Sequence, residues 1–98
     1  MNRFVMNHQF QEEEITDVLE NIQDDDPKSL IVFNDDFNTF DHVIQTLVKV
    51  CKHTMEQAEQ CTLIIHNKGK CNVKDGSLHK LRPMRHAICE AGIEARIY

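Results

Sequence analysis

Four cysteines and six histidines in a chain of 98 residues are enough to build a metal site or a nucleophile–base pair, so their spacing decides what they can do. Cys51, Cys61, Cys71 and Cys89 contain no C-x-x-C pair, the histidines contain no H-x-x-x-H pair, and no glycine-rich phosphate loop occurs. Zinc binding, Cys/His nucleophilic catalysis and nucleotide phosphate binding each lack the pattern they require, and no metal or cofactor is expected. Asp35, Asp36 and Asp41 offer carboxylates for acid–base work. Such chemistry needs two carboxyls converging on one bond, whereas neighbours in a loop point apart, and a turn followed by a helix cap accounts for all three. A different set of groups is left over. Asn34-Asp35-Asp36 follows an apolar run and precedes a helix pattern, and His66 closes the next one. An amide oxygen, a carboxylate and a neutral imidazole nitrogen are all hydrogen-bond acceptors, suited together to a positively charged donor. Taken singly, the triplet reads as a turn and His66 as a partly buried, hydrogen-bonded histidine.

The elements that must position these groups follow from periodicity. Leu30, Ile31, Val32 and Phe33 form a short strand ended by the Asn34-Asp35-Asp36 turn signal. Asn38 or Thr39 can cap a helix, Asp41 suits its first turn, and Phe40, Val43, Ile44, Leu47, Val48 and Cys51 make its apolar face, to about Lys52. Thr54 and Gln57 have the spacing of a capping box, ahead of Met55, Ala58, Cys61, Ile64 and Ile65 at intervals of three or four, and the helix ends near His66-Asn67 before Gly69. Cys51 and Cys61 thus lie on apolar helix faces, where a reduced cysteine packs as a small core residue. Cys71-Asn72-Val73 alternates as a strand and Asp75-Gly76 signals a turn. Leu78, Leu81, Met84, Ile88 and Ala91 mark a third helix with Pro83 in or near its first turns and Gly92 closing it, and Ile93, Ala95 and Ile97 alternate as a last strand. The order β-α-α-β-α-β predicts an α+β domain, with three helices on one side of a three-stranded, mainly antiparallel sheet.

Composition bounds the rest. The chain is short enough for one small core, and no apolar run approaches the ~18 residues of a membrane span. The start is not a secretory signal, and together with unpaired cysteine spacing this predicts reduced thiols and a cytoplasmic setting. A net charge of -5 argues against a nucleic-acid partner, whose phosphates need Lys and Arg. That charge is concentrated: residues 1 to 28 carry Glu12, Glu13, Glu14, Asp17, Glu20, Asp24, Asp25 and Asp26 against Arg3 and Lys28. Two units are expected, a flexible acidic extension over residues 1–27 and a folded core over residues 28–98. Ile15, Val18, Leu19 and Ile22 within the extension have helical spacing, which allows a partner-induced helix there.

The stretch from Leu30 to Lys70 resembles the ClpS family, bacterial N-degron adaptors that hand proteins to a Clp-family AAA+ unfoldase and its ClpP protease. Three blocks carry the resemblance: the apolar strand leading into Asn34-Asp35-Asp36-Phe37, the helix with Val43 and Leu47, and His66-x-x-Gly69-Lys70, thirty-two residues after Asn34. It implies a non-enzymatic adaptor that binds proteins whose first residue is Leu, Phe, Tyr or Trp. Asn34, Asp35 and His66 match the positions that hold the free α-amino group. Asn38, Phe40, Val43, Thr62 and Ile65, with Ile93 from the last strand, match the wall of the side-chain pocket. The implied partners are such N-degron proteins and the N-terminal domain of a ClpA- or ClpC-type unfoldase, with the adaptor itself a monomer and the acidic extension needed for delivery. The chain departs from the family pattern at Asn38-Thr39-Phe40, where Thr-Pro-Met is usual, at Thr62, where a gating Met is common, and at Ser77 to Pro83, which replaces an Ala-Glu-Thr-Lys segment. A second reading is a regulatory domain that docks on the unfoldase without reading N-termini. A third, an enzyme using His66 with Asp35, has no nucleophile or metal pattern to support it.

Overall fold

The computed structural model describes residues 26–98. The expected acidic extension, and the helical spacing within it, lie outside the described residues except for Asp26 and Pro27. From there the chain runs β1 (Lys28–Phe33), α1 (Phe40–Cys51), α2 (Met55–Lys68), β2 (Lys70–Gly76), α3 (Leu78–Glu90) and β3 (Ala95–Ile97). This is the β-α-α-β-α-β order that the periodicity predicts. β1 is central, antiparallel to β2 on one side and to β3 on the other.

Alternation in β1 sets the two faces of the sheet. Leu30 and Val32 are fully buried, whereas Ser29, Ile31 and Phe33, which alternate with them, are only partly covered. The inward residues join Val43, Leu47 and Cys51 of α1, Ala58 and Ile65 of α2, Val73 of β2, Leu81 and Ile88 of α3, and Ala95 of β3 in one core. Deleting a side chain such as Leu47 or Leu81 would cost roughly 2–5 kcal/mol, because a close-packed core collapses only partly into the space.

Helix ends follow local chemistry. Thr39 caps α1 by accepting from the His42 amide, which selects it over Asn38. Thr54 and Gln57 cap α2 reciprocally as a capping box. α2 stops at Gly69, whose φ of 95° lies in the left-handed region where a Cβ is strained.

One local reading of the sequence is corrected. Asp75-Gly76 is the end of β2 rather than a turn, because Ser29 and Gly76's partner Lys28 extend the ladder and Asp75 Oδ1 accepts from Ser29 Oγ and Asn72 Nδ2. The connection to α3 shrinks to Ser77, the helix cap. Pro83 sits at the sixth residue of α3, past the first turn, so one hydrogen bond to the His79 carbonyl is absent inside a helix that continues to Glu90. Burial of Leu78, Leu81 and Ile88 on both sides of the proline holds the helix together across that gap. β2 also carries an irregularity that pattern alone does not signal. Its register against Leu30 and Ile31 passes from Lys74 to Asn72, leaving the buried Val73 as the extra residue.

Candidate functional site

The acceptor residues reach one place because β1 and α2 end side by side. The Asn34 amide donates to the Gly69 carbonyl at 2.9 Å, tying the exit of β1 to the turn that closes α2. His66 occupies the last turn of α2, so this bond brings the Asn34 end and the His66 end together across thirty-two residues. Between them lies a cavity of about 300 Å3. It is lined by Asn34, Asp35, Asp36, Asn38, Thr39, Phe40, Val43, Thr62, Ile65 and His66. That volume is at the small end of ligand sites, suited to one side chain and its attached polar group.

The polar end is built around Asp35. Its Oδ1 accepts from the backbone amides of Phe37 and Asn38 at 2.9 and 2.8 Å, and its Oδ2 accepts from Asn38 Nδ2 at 2.6 Å. An aspartate two and three residues ahead of the amides it accepts from is the reason the chain turns here between strand and helix. The Asn38 amide, followed by the Asn38 side chain and the Phe37 amide, lowers the Asp35 pKa below the ordinary 3.8 against the opposing effect of burial, and His42 adds to the lowering. Asp35 is therefore a carboxylate at neutral pH. An ionised carboxylate offers about four lone-pair sites, and three are used, leaving one on Oδ2 for a ligand.

The loop is also clasped from behind. Asn38 Nδ2 donates to the Gly92 carbonyl at 2.9 Å, and His42 Nε2 lies 2.8 Å from the Ala91 carbonyl. Asn38 and His42 are one helical turn apart, so both reach the turn between α3 and β3.

The apolar end comes from α1 and α2. Val43, Thr62 and Ile65 are buried, and Thr62 Oγ1 donates to the Ala58 carbonyl at 2.8 Å, so the hydroxyl is satisfied within its own helix and the methyl group is left for packing. Phe40 is 40% exposed at the start of α1 and meets the His66 ring edge to face at 5.2 Å between centroids.

Eight of the nine residues singled out in the sequence therefore line one cavity. Ile93 does not. It lies in the turn before β3, 3% exposed and packed in the core. Asp36, part of the acceptor triplet in the sequence, and Thr39, legible there only as a cap, line the cavity as well. His42 carries no sequence signal, since nothing local points to a bond with a carbonyl forty-nine residues away. Among the described residues, no group of three or more His, Cys, Asp or Glu side chains could hold a metal ion, and all four cysteines are free thiols. No described helix is long and apolar enough to cross a membrane.

The profile of a known family, ATP-dependent Clp protease adaptor protein ClpS, matches residues 23–94. The chain belongs to the ClpS family. Proteins of that family are adaptors of the Clp protease, and the match covers most of this chain's described residues. Among solved structures, Agrobacterium tumefaciens ClpS2 bound to L-phenylalaninamide is similar, with a TM-score of 0.68, 17% identity, and coverage of 74% of this chain and 94% of its own. At that identity the likeness is one of fold. No curated protein matches this chain.

Proposed function

We propose that this ClpS-family chain is a reader of protein N-termini, which captures Leu, Phe, Tyr or Trp as a free first residue and passes the bearer to a Clp AAA+ unfoldase and ClpP. The observation that carries the reading is the two-ended cavity, with acceptors at one end and Val43, Thr62 and Ile65 at the other. An α-ammonium has three donors and no acceptor. Asn34 Oδ1, the open site on Asp35 Oδ2 and a His66 ring nitrogen are three acceptors, one for each N–H. The first side chain then enters between Phe40, Val43, Thr62 and Ile65. Asn38 serves the pocket indirectly by holding Asp35, and Ile93 supports it from the core. The ClpS2 ligand, L-phenylalaninamide, has the same two features of a free amino group and an apolar side chain, which supports the reading by analogy.

The magnitudes suffice. Charge-assisted hydrogen bonds contribute roughly 1.5–3 kcal/mol each, and burial of a Leu or Phe side chain roughly 1.5–3 kcal/mol, before the costs of association. Micromolar affinity, about -8 kcal/mol, is within that sum. In this reading residues 28–98 are the recognition domain, residues 1–27 are the extension used in delivery, and the adaptor acts as a cytoplasmic monomer without a catalytic step. The N-terminal domain of a ClpA- or ClpC-type unfoldase is the partner it serves.

Fluorescence anisotropy with labelled peptides that differ only at residue one (Leu, Phe, Tyr, Trp, Ile, Val, Met, Ala), with an acetylated Leu control, tests the reading. Free bulky N-termini are expected to bind, and acetylation should weaken Leu at least about tenfold by removing charge and donors. Binding by no peptide would overturn it in favour of a domain that docks on the unfoldase without reading N-termini.

A further inference from the structure

A second concavity, of about 780 Å3, carries none of the acceptor residues and opens beside the outer face of the sheet. Ser29 and Ile31 of β1, Tyr98 beyond β3 and Ile64 of α2 line it, together with Lys68 and Lys70. Tyr98 is 63% exposed and Ile64 42%. The strand pairing orients this groove. Ser29 exchanges hydrogen bonds with Tyr98 at one end, and Phe33 pairs with Lys70 at the other. It is an apolar strip whose far end is cationic.

We propose that residues 14–22 of the same chain dock in this groove as an amphipathic helix. The described chain begins at Asp26, two residues before β1, so this segment is tethered at the Ser29–Tyr98 end. Ile15, Val18, Leu19 and Ile22 share one helix face, with Asp17 and Glu20 off it. Nine helical residues span about 13 Å, and β1 from Ser29 to Phe33 covers about the same length. Residues 23–27 reach up to roughly 17 Å when extended, sufficient for the chain to reverse over the sheet, and Pro27 favours an extended Asp26 ahead of it. A helix running back over β1 sets Ile22 near Ser29 and Tyr98 and brings Glu12, Glu13 and Glu14 to Lys68 and Lys70. Those glutamates then also meet the positive end of the helix macrodipole. So short a helix does not persist alone in water, so covering the groove and forming the helix are one event.

Tyr98 is the chain's only tyrosine and there is no tryptophan, so its fluorescence reports directly on the groove. In the full chain, acrylamide should quench Tyr98 at least about twofold less than in the Val18→Asp/Leu19→Asp variant, whose changes lie outside the described residues. Reciprocally, Ile64→Asp in the groove should speed amide hydrogen exchange of residues 14–22 about tenfold or more, with the melting curve of the core retained. Equal quenching in the wild type and the double variant overturns the proposal. Protection of Tyr98 that vanishes on dilution also overturns it, by assigning the groove to a second copy. The inference is independent of the proposed function, because peptide binding and Tyr98 quenching are separate readouts.

Discussion

Replacing Asn38 by alanine isolates what holds the acceptor loop in shape. Asn38 Nδ2 bridges Asp35 Oδ2, at 2.6 Å, and the Gly92 carbonyl, at 2.9 Å, and alanine removes both bonds while leaving the backbone amides on Asp35 Oδ1. A hydrogen bond to an ionised group contributes roughly 1.5–3 kcal/mol when shielded from water. Asp35 is half-exposed, so screening lowers this to about 1 kcal/mol. The bond to Gly92 is neutral and exposed, water replaces it readily, and it adds about 0.5 kcal/mol. The expected loss is therefore about 1.5 kcal/mol, or a fall of about 6–12 °C in Tm for a domain of this size. Urea and thermal unfolding followed by circular dichroism measure it. The double-mutant cycle with Asp35→Ala should then return a coupling of about 1 kcal/mol, since the shared bond is counted in both single variants. A loss within about 0.5 kcal/mol, the range of an ordinary surface substitution, would refute the view that the Asn38 side chain holds the loop. So would additive single effects.

Two further outcomes come from the ionisable groups. The folded pKa of Asp35 lies below 3.8, so the turn it stabilises is fully formed above that value and is lost as pH falls through the lower, folded value; the amide proton shifts of Phe37 and Asn38 should titrate together with a midpoint below 3.8, and a midpoint at or above it would contradict the hydrogen bonding described. Burial pushes the Cys51 thiol up to about 11, and burial reinforced by neighbouring Cys61 pushes Cys71 up to about 12. At pH 8 roughly a thousandth of Cys51 or less is thiolate, so alkylation of both in the native protein should be at least about a hundredfold slower than after unfolding, and equal rates would refute their burial.

Local chemistry made most of this fold legible and long-range chemistry hid the rest. The capping box of Thr54 and Gln57, the glycine stop at Gly69 and the four-residue spacing of Val43, Leu47 and Cys51 are interactions within one or two turns, so the residues that cause them sit together in the sequence. Asp75-Gly76 misled for the opposite reason. Its turn propensity is local, but the ladder to Lys28 and Ser29, nearly fifty residues away, outweighs it. The site divides in the same way. The acceptor triplet stands out as a string, whereas the clasp from Asn38 and His42 to the α3–β3 turn joins groups more than forty residues apart and leaves no pattern to find. Ile93 is placed at the pocket wall by the resemblance alone, and in the structure it follows Gly92, whose φ is 86°, and packs in the core.

That clasp bears on how selective the site can be. A free aspartate in a loop would accept from any nearby donor, including water, with up to four lone-pair sites. Here three are taken by the loop itself, and the fourth has a direction fixed by the Asn38 side chain, which is held in turn by Gly92. Ordering the carboxylate is thus completed on folding instead of on binding, which lowers the entropic cost of capture. The same economy applies to the opposing half of the cavity, where the Asn34 amide bonded to the Gly69 carbonyl fixes the strand end against the last turn of α2. An alanine at Gly69 would meet no atom within 4 Å, so its whole effect would come from the backbone angle. The spacing between Asn34 and His66 then rests on one glycine in the left-handed region, which is why a motif of so few residues can specify the distance between two acceptors on separate elements.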